Sequence, residues 1–292
     1  MPEGDTIFRA ARTLHRALAG RTVTRFETVF PAVSRVDDDR PLVGRTIEGV
    51  SAVGKNVMMR FSGDLILRTH MRMNGSWHIY RPGERWQRSA AALRVLVETA
   101  DFVAVGFDVP VAELLTPRAL ARHPQLRRLG PDLLAETFDE DEAVRRLRAR
   151  AGDPIADVLL DQAVVAGAGN VFKSEILFLC RTHPRTAVGE LSDATLREIV
   201  RTGRRLLAAN VGGAAPGHSV PYTGLRRTTR RADPAARLWV YGRRGAPCRT
   251  CGAAVVADKG GLHARSTYWC PGCQPETGAH TNVSSPAPSG LT

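Results

Sequence analysis

Four of the five cysteines fall into two close pairs, Cys248-x2-Cys251 and Cys270-x2-Cys273, with eighteen residues between the pairs. Two such knuckles bring four thiolates to one tetrahedral ion, and the donor set suits zinc. Four thiolates close the coordination shell, so the ion pins a fold and leaves no open position for catalysis. This end of the chain is thereby constrained to a small metal-held ribbon. Cys180 stands apart and reads as a small buried apolar residue within a helix. The pattern is a metal site and not a disulfide framework, which fits a reducing cytoplasm.

Charge narrows the partner. The 292 residues carry a net charge of +12, and residues 181–250 hold fourteen arginines, no lysine and four acids, a net +10. A field so concentrated suggests a polyanion, most simply nucleic acid, although an arginine-biased solvated surface gives the same count. Only three lysines, Lys55, Lys173 and Lys259, stand against 38 arginines. Arginine stays protonated whereas lysine can lose its proton, so each remaining lysine is a candidate for chemistry. No run of 18 apolar residues and no basic-then-apolar leader occurs, so neither a membrane span nor a secretory signal is expected.

The pattern of elements changes part-way. Residues 5–19 read as a helix, with Ile7, Phe8, Ala11, Leu14 and Leu18 at helical spacing, Asp5 as its cap and Gly20 as its stop. Short β-branched or aromatic runs follow at 22–29, 46–53, 57–61, 65–69, 77–80, 93–99 and 102–107, separated by Gly, Pro and Asp turns. That density predicts a sandwich or barrel. Helices are expected next at 139–150, at 154–166 with Pro154 in the first turn, at 171–180 and at 192–209. Residues 210–234 read as a mobile Gly-, Pro- and Arg-rich loop, and 275–292 as a disordered tail.

Several short motifs carry possible chemistry. Removal of Met1 leaves Pro2 as a secondary amine with a pKa near ~8, nucleophilic near neutral pH and able to form an iminium. Glu3 beside it is a candidate proton shuttle. A proline in second place is also common without any role. Lys55 follows Gly54 at a β-turn, either poised for chemistry or on a surface hairpin. His70-Met71-Arg72-Met73-Asn74-Gly75 reads as a loop tip whose Met73 is either a wedge between stacked bases or simply half-buried. In Gly167-Ala168-Gly169-Asn170, glycines precede a helix start. That is either a phosphate-binding corner or an ordinary turn capped by Asn170. Between the cysteine pairs, His263-Ala264-Arg265-Ser266-Thr267-Tyr268-Trp269 forms a basic, aromatic tip.

Taken together these motifs resemble the formamidopyrimidine-DNA glycosylase and endonuclease VIII family of base-excision repair enzymes. The resemblance covers about residues 1–274 and five motifs in order. They are Pro2-Glu3, Gly54-Lys55, the helix–two-turn–helix ending at Asn170, Leu238-Trp239-Val240-Tyr241-Gly242, and Tyr268-Trp269-Cys270-Pro271-Gly272-Cys273-Gln274. The Pro-Glu-Gly start is that of the endonuclease VIII branch, with Asp5-Thr6 in place of the other branch's Pro-Glu, which points to oxidised pyrimidines. Arg72-Met73-Asn74 departs from the Gln-Leu-Tyr wedge of the best-known members.

The resemblance implies an α+β fold: an N-terminal β-sandwich with a leading catalytic helix (1–135), a helix–two-turn–helix domain (136–237), a zinc finger (238–274) and a tail (275–292). It implies a bifunctional DNA glycosylase and AP lyase working through an iminium at Pro2 and then β,δ-elimination. Glu3 would protonate the opening sugar, and Lys55 and Arg265 would assist elimination. Arg72, Arg128 and Asn170 would contact DNA, and Cys248, Cys251, Cys270 and Cys273 would hold one structural zinc. A cytoplasmic, nucleoid-associated monomer acting on damaged DNA is expected. The alternative is a non-catalytic zinc-ribbon DNA-binding protein, which has no need of Pro2, Glu3 or Lys55.

Overall fold

The computed structural model describes residues 2–212, 226–229, 231, 233–260 and 265–276. Met1, the middle of the 210–234 loop, His263 and Ala264 of the finger tip, and 277–292 of the tail lie outside the described residues.

The chain opens with helix α1 (Gly4–Leu18), followed by β1 (Val23–Thr28), α2 (Pro31–Asp39), β2 (Ile47–Val53), β3 (Asn56–Phe61), β4 (Leu65–His70), β5 (Ser76–Tyr80), β6 (Leu93–Thr99), β7 (Val103–Phe107) and β8 (Val111–Leu115). Two four-stranded antiparallel sheets result, in the orders β1-β6-β7-β5 and β2-β3-β4-β8. Helix α1 buries one face, including Ile7, Leu14 and Leu18, in the same core as Ile47, Met59, Phe61, Leu67, Trp77 and Val97. Burial of this kind contributes roughly 1.5–3 kcal/mol per large apolar side chain, which fixes the helix to the sandwich.

The second half is helical: α3 (Pro117–Ala121), α4 (Pro124–Arg127), α5 (Glu140–Arg148), α6 (Ile155–Val158), α7 (Asn170–Leu179) and α8 (Asp193–Val211). Leu147, Ile155, Val158, Phe172, Ile176, Leu196, Ile199 and Leu207 form its core. Strands β9 (Val256–Gly260) and β10 (Arg265–Trp269) then make an antiparallel hairpin between the cysteine pairs.

Three readings need correction. The helix expected over 154–166 is only α6, with Pro154 at the N-cap position. Beyond it side chains bond the backbone in place of helical partners: Asp161 Oδ1 accepts from Ala163 N, while Gln162 donates to Leu160 O and Ala168 O and accepts from Gly167 N. This is the pair of turns between helices. Asp5 does not cap α1; it lies one residue inside the helix, and Glu3 holds the N-cap position. Cys180 is half-buried and sits just past α7 as its C-cap.

The sequence pattern does not mark α2, β8 or the short helices α3 and α4. In α2 only Val33 is buried, so no apolar stripe marks it. The Val-Ala-Glu-Leu-Leu of β8 carries helix formers and becomes a strand by pairing with β4. No helix among the described residues is long and apolar enough to cross a membrane.

Candidate nucleic-acid site

The two halves meet where the start of α1 faces the start of α7. Gly4 N donates to Gly167 O at 2.8 Å. The Glu3 carboxylate, fully buried, accepts from Val171 N at 2.8 Å and from Phe172 N at 3.3 Å. It therefore caps α7 from 168 residues away, taking up amides that a helix leaves unpaired and placing an anion at the positive end of its dipole. Asn170 is thus the first helical residue and not the cap; Gly169 holds the cap position. A Cβ on Gly169 would lie 2.4 Å from both Cγ and Cδ of Glu3, so any larger residue here must displace the carboxylate from its seat. Pro2 is buried immediately before Glu3.

Lys55 lies partly buried in the two-residue turn joining β2 to β3, after Gly54 at φ +57°. Gly54 N donates to Asp132 Oδ2 at 2.6 Å, tying this turn to the helical half. Burial pushes the Lys55 ammonium down to about 8; the nearby Glu3 charge opposes this, while Arg265 and Arg226 reinforce it. Lys55, His70, Arg128 and Gln162 line one cleft of about 320 Å³. His70 is held near 4, first by burial and then by Arg68, Lys55 and Arg72, and its Nδ1 accepts from Arg72 N.

From the finger, Arg265 is exposed at the first position of β10, and its Nη1 lies 3.4 Å from Met73 Sδ. The 71–75 tip itself is anchored by buried Met71, exposes Met73, and holds Arg72 at φ +45°. Asn170 Nδ2 donates to Ser266 O at 2.8 Å, and its Oδ1 is buried with no hydrogen-bond partner among the described residues. Arg128 is exposed just past α4.

The four cysteine sulfurs lie within 4.8 Å of one another, with Cys248–Cys273 at 3.8 Å and Cys251–Cys270 at 3.4 Å. A tetrahedral ion with metal–sulfur bonds of about 2.3 Å sets sulfurs about 3.8 Å apart, so the donors fit zinc. A Cβ on Gly272 would stand 3.1 Å from the Cys251 sulfur, a tight approach that would press on this donor.

The N-terminal domain model of formamidopyrimidine-DNA glycosylase matches residues 1–108, and that enzyme's H2TH domain model matches 129–219. The probable endonuclease 8 2 of Streptomyces coelicolor is 42% identical over 292 residues, covering 97% of this chain and 99% of its own. The chain belongs to the formamidopyrimidine-DNA glycosylase and endonuclease VIII family. A second relative in that family, the DNA-(apurinic or apyrimidinic site) lyase Nei2 of Mycolicibacterium smegmatis, is 36% identical over 274 residues, or 94% of this chain and 99% of its own. Among solved structures, Lactococcus lactis Fpg in complex with abasic-site DNA matches with a TM-score of 0.79 at 25% identity, covering 94% of this chain and all of that one.

Of the residues singled out in the sequence, Pro2, Glu3, Lys55, Asn170 and Arg265 converge on the start of α7, with Arg72 and Arg128 at the rim of the same cleft region. Two others gain a definite place only in three dimensions, Lys173, marked in the sequence by its rarity alone, and Glu175, not marked at all. Lys173 is 1% exposed, donates to Thr267 Oγ1 at 2.7 Å, and is lowered to about 8 by burial. Glu175, fully buried, accepts from Trp239 N, Val240 N, Tyr241 N and the Thr228 hydroxyl, holding the approach to the finger. Burial drives its carboxyl above the usual range.

Proposed function

We propose that this protein is a bifunctional DNA glycosylase and AP lyase of base-excision repair, acting on oxidised bases of the pyrimidine class. The observation that carries the reading is the seating of Pro2-Glu3 on the α7 N-terminus beside a lysine lowered to about 8. Relatives named endonuclease 8 and the Pro-Glu-Gly start support the pyrimidine class. Residues 1–135 would supply the reacting end, 136–237 and the finger at 238–274 the grip on DNA.

The target nucleotide is extruded because C1′ is unreachable within the stack. Pro2, with Met1 removed, attacks C1′ through its nitrogen lone pair, and the C1′–base bond breaks with its electrons leaving on the base. Glu3, seated as a carboxylate, takes up the N–H proton that the attached amine loses and delivers it to the sugar ring oxygen as the C1′–oxygen bond breaks, giving an iminium, while the departed base takes a proton from water. The iminium acidifies the C2′ proton; its loss expels the 3′ phosphate with the C3′–O electron pair. Lys55 interacts with the adjacent phosphate and, neutral in part near pH 8, assists proton transfer. Arg265 grips phosphate and assists the following δ-elimination, with Arg72, Arg128 and Asn170 contacting DNA. Cys248, Cys251, Cys270 and Cys273 would hold one zinc ion whose role is to pin the finger.

Borohydride trapping on abasic-site duplex tests this directly. Reduction of the iminium leaves a covalent protein–DNA adduct, which Pro2→Gly should weaken or abolish. The absence of an adduct with correctly processed protein would favour a purely DNA-binding role.

A further inference from the structure

At Asp5-Thr6 the sequence departs from the Pro-Glu of the other branch, and the proposed reaction gives neither residue a role. Asp5 is fully buried in the first turn of α1, two residues from Glu3. Its carboxylate receives a two-pronged grip from Arg226: Nε lies 2.9 Å from Oδ2 and 3.1 Å from Oδ1, and Nη2 lies 3.0 Å from Oδ1. The same Nη2 donates to Thr6 Oγ1 at 2.9 Å. The guanidinium stands 5.6 Å from the ring centroid of Phe172, whose amide donates to Glu3. The backbone beside Arg226 is itself fixed. Arg227 exchanges two 2.8 Å bonds with the Asn210 side chain on α8, and the Thr228 hydroxyl donates to Glu175 on α7.

We propose that Asp5 and Arg226 are positioning residues, a buried clamp that holds the first turn of α1, and with it Pro2 and Glu3, in register against α7. The proposal rests on the reading of Pro2 as nucleophile. A buried ion pair stabilises a fold no better than packed apolar residues would, because both charges lose their hydration. What it supplies is direction, since a planar fork meets a carboxylate in one geometry. Here that geometry joins a residue of the first turn to a segment 221 positions away that is anchored to both α7 and α8. A shift of about 1 Å at the reacting nitrogen costs on the order of 100-fold in rate, so a clamp at this place acts on catalysis before it acts on binding.

The test compares wild type, Asp5→Asn, Arg226→Met and the double variant. Three quantities are read: melting temperature, Kd for duplex bearing a tetrahydrofuran abasic analogue, and single-turnover rate of borohydride-trapped adduct on abasic-site duplex. Each folded single variant should lose roughly 10- to 100-fold in trapping rate with Kd changed less than about threefold. The double variant should lose no more than the worse single, because the pair acts as a unit. Arg226→Lys should recover part of the rate, restoring charge without the fork. Wild-type trapping rates in the single variants would overturn the clamp. So would an equal loss of rate and affinity in Arg226→Met, which would make Arg226 a DNA contact. Should the singles fail to fold, the double variant, which removes both members of the pair and leaves only Arg9, 3.7 Å from Asp5 Oδ2, without its carboxylate, carries the decision: a slowed rate supports the clamp and a wild-type rate overturns it. No adduct from wild type sinks the nucleophile reading and this proposal with it, whereas an active wild type beside unaffected variants sinks the clamp alone.

Discussion

Replacing Gly169 with alanine adds one methyl group and aims it at the centre of the site. The backbone there is extended (φ −134°, ψ −161°), which alanine adopts freely, so the whole effect comes from contact. The new carbon would lie 2.4 Å from Glu3 Cγ and Cδ and 2.8 Å from Oε1. Carbon atoms rest about 3.5–4.0 Å apart, so the carboxylate must retreat by about 1 Å. That movement stretches both bonds from Val171 N and Phe172 N. Hydrogen bonds to a charged group contribute about 1.5–3 kcal/mol each, and partial loss of two gives roughly 3 kcal/mol of lost stability. At about 2–4 °C per kcal/mol, the melting temperature should fall by roughly 6–12 °C. The same displacement of a proton donor predicts on the order of 100-fold slower base release, measured under single-turnover conditions on duplex with an oxidised pyrimidine. Gly212→Ala is the control: its φ is −73° and nothing among the described residues lies within 4 Å of an added carbon, so stability should stay within about 0.5 kcal/mol. A Gly169→Ala protein with wild-type melting temperature and wild-type base release would refute the argument that Glu3 needs this seat.

Three further outcomes follow from the same geometry. The Lys55 ammonium is lowered to about 8, so its neutral fraction grows as pH rises through that value. The β-elimination rate on preformed abasic sites should therefore climb from pH 6.5 to 8.5 and level off. Lys55→Arg, locked in the charged form, should keep DNA affinity and flatten this limb; an unchanged profile in that variant would assign the limb elsewhere. Glu175→Gln leaves one oxygen to serve three amides and a hydroxyl, which should cost about 2–4 kcal/mol by denaturant titration. Stripping the metal, or Cys270→Ser, should remove one zinc equivalent by mass spectrometry of metal content. It should also weaken duplex binding by about tenfold or more while the sandwich core stays folded by near-ultraviolet dichroism. Full affinity without metal would make the finger dispensable.

The sequence displays the candidate reacting and metal-holding groups because each sits in a short motif with its own chemistry: a proline at position 2, a lysine after a turn glycine, and two cysteine knuckles. The strand-dense half was legible for the same local reason, since β3 to β7 lie on apolar, β-branched runs between turn residues. What was hidden is long-range. Arg226 is one of fourteen arginines within 181–250, and nothing local separates it from its neighbours until Asp5 is folded against it. The 154–166 stretch has a helical composition, yet Asp161 and Gln162 offer their own backbone better partners than the helix does. Glu3 looked like an acid beside a nucleophile; that it also caps an internal helix depends on tertiary contact alone.

That second role gives α7 an unusual place in the molecule. From Asn170 to Phe178 every residue is buried, so no face of this helix is left for solvent. Its first amides hold Glu3. Along its length Asn170 reaches Ser266 O, Lys173 reaches Thr267 Oγ1, and Ser174 Oγ accepts from Tyr268 N at 3.3 Å, three contacts with one strand of the finger. Glu175 holds the backbone that leads into that finger. The cysteine hairpin and the Glu3 terminus are therefore fastened to the same N-terminal half of one short helix, within its first five residues. A finger displaced on DNA would therefore strain the same helix whose first turn seats Glu3. On the proposed reaction the finger would act on the chemistry in two ways, through Arg265 at the phosphate and through α7 at Glu3. Replacing Arg265 should remove the first alone, whereas Cys270→Ser, which loosens the hairpin, should remove both, so base release should slow further in Cys270→Ser than in Arg265→Ala; equal rates would refute the second route.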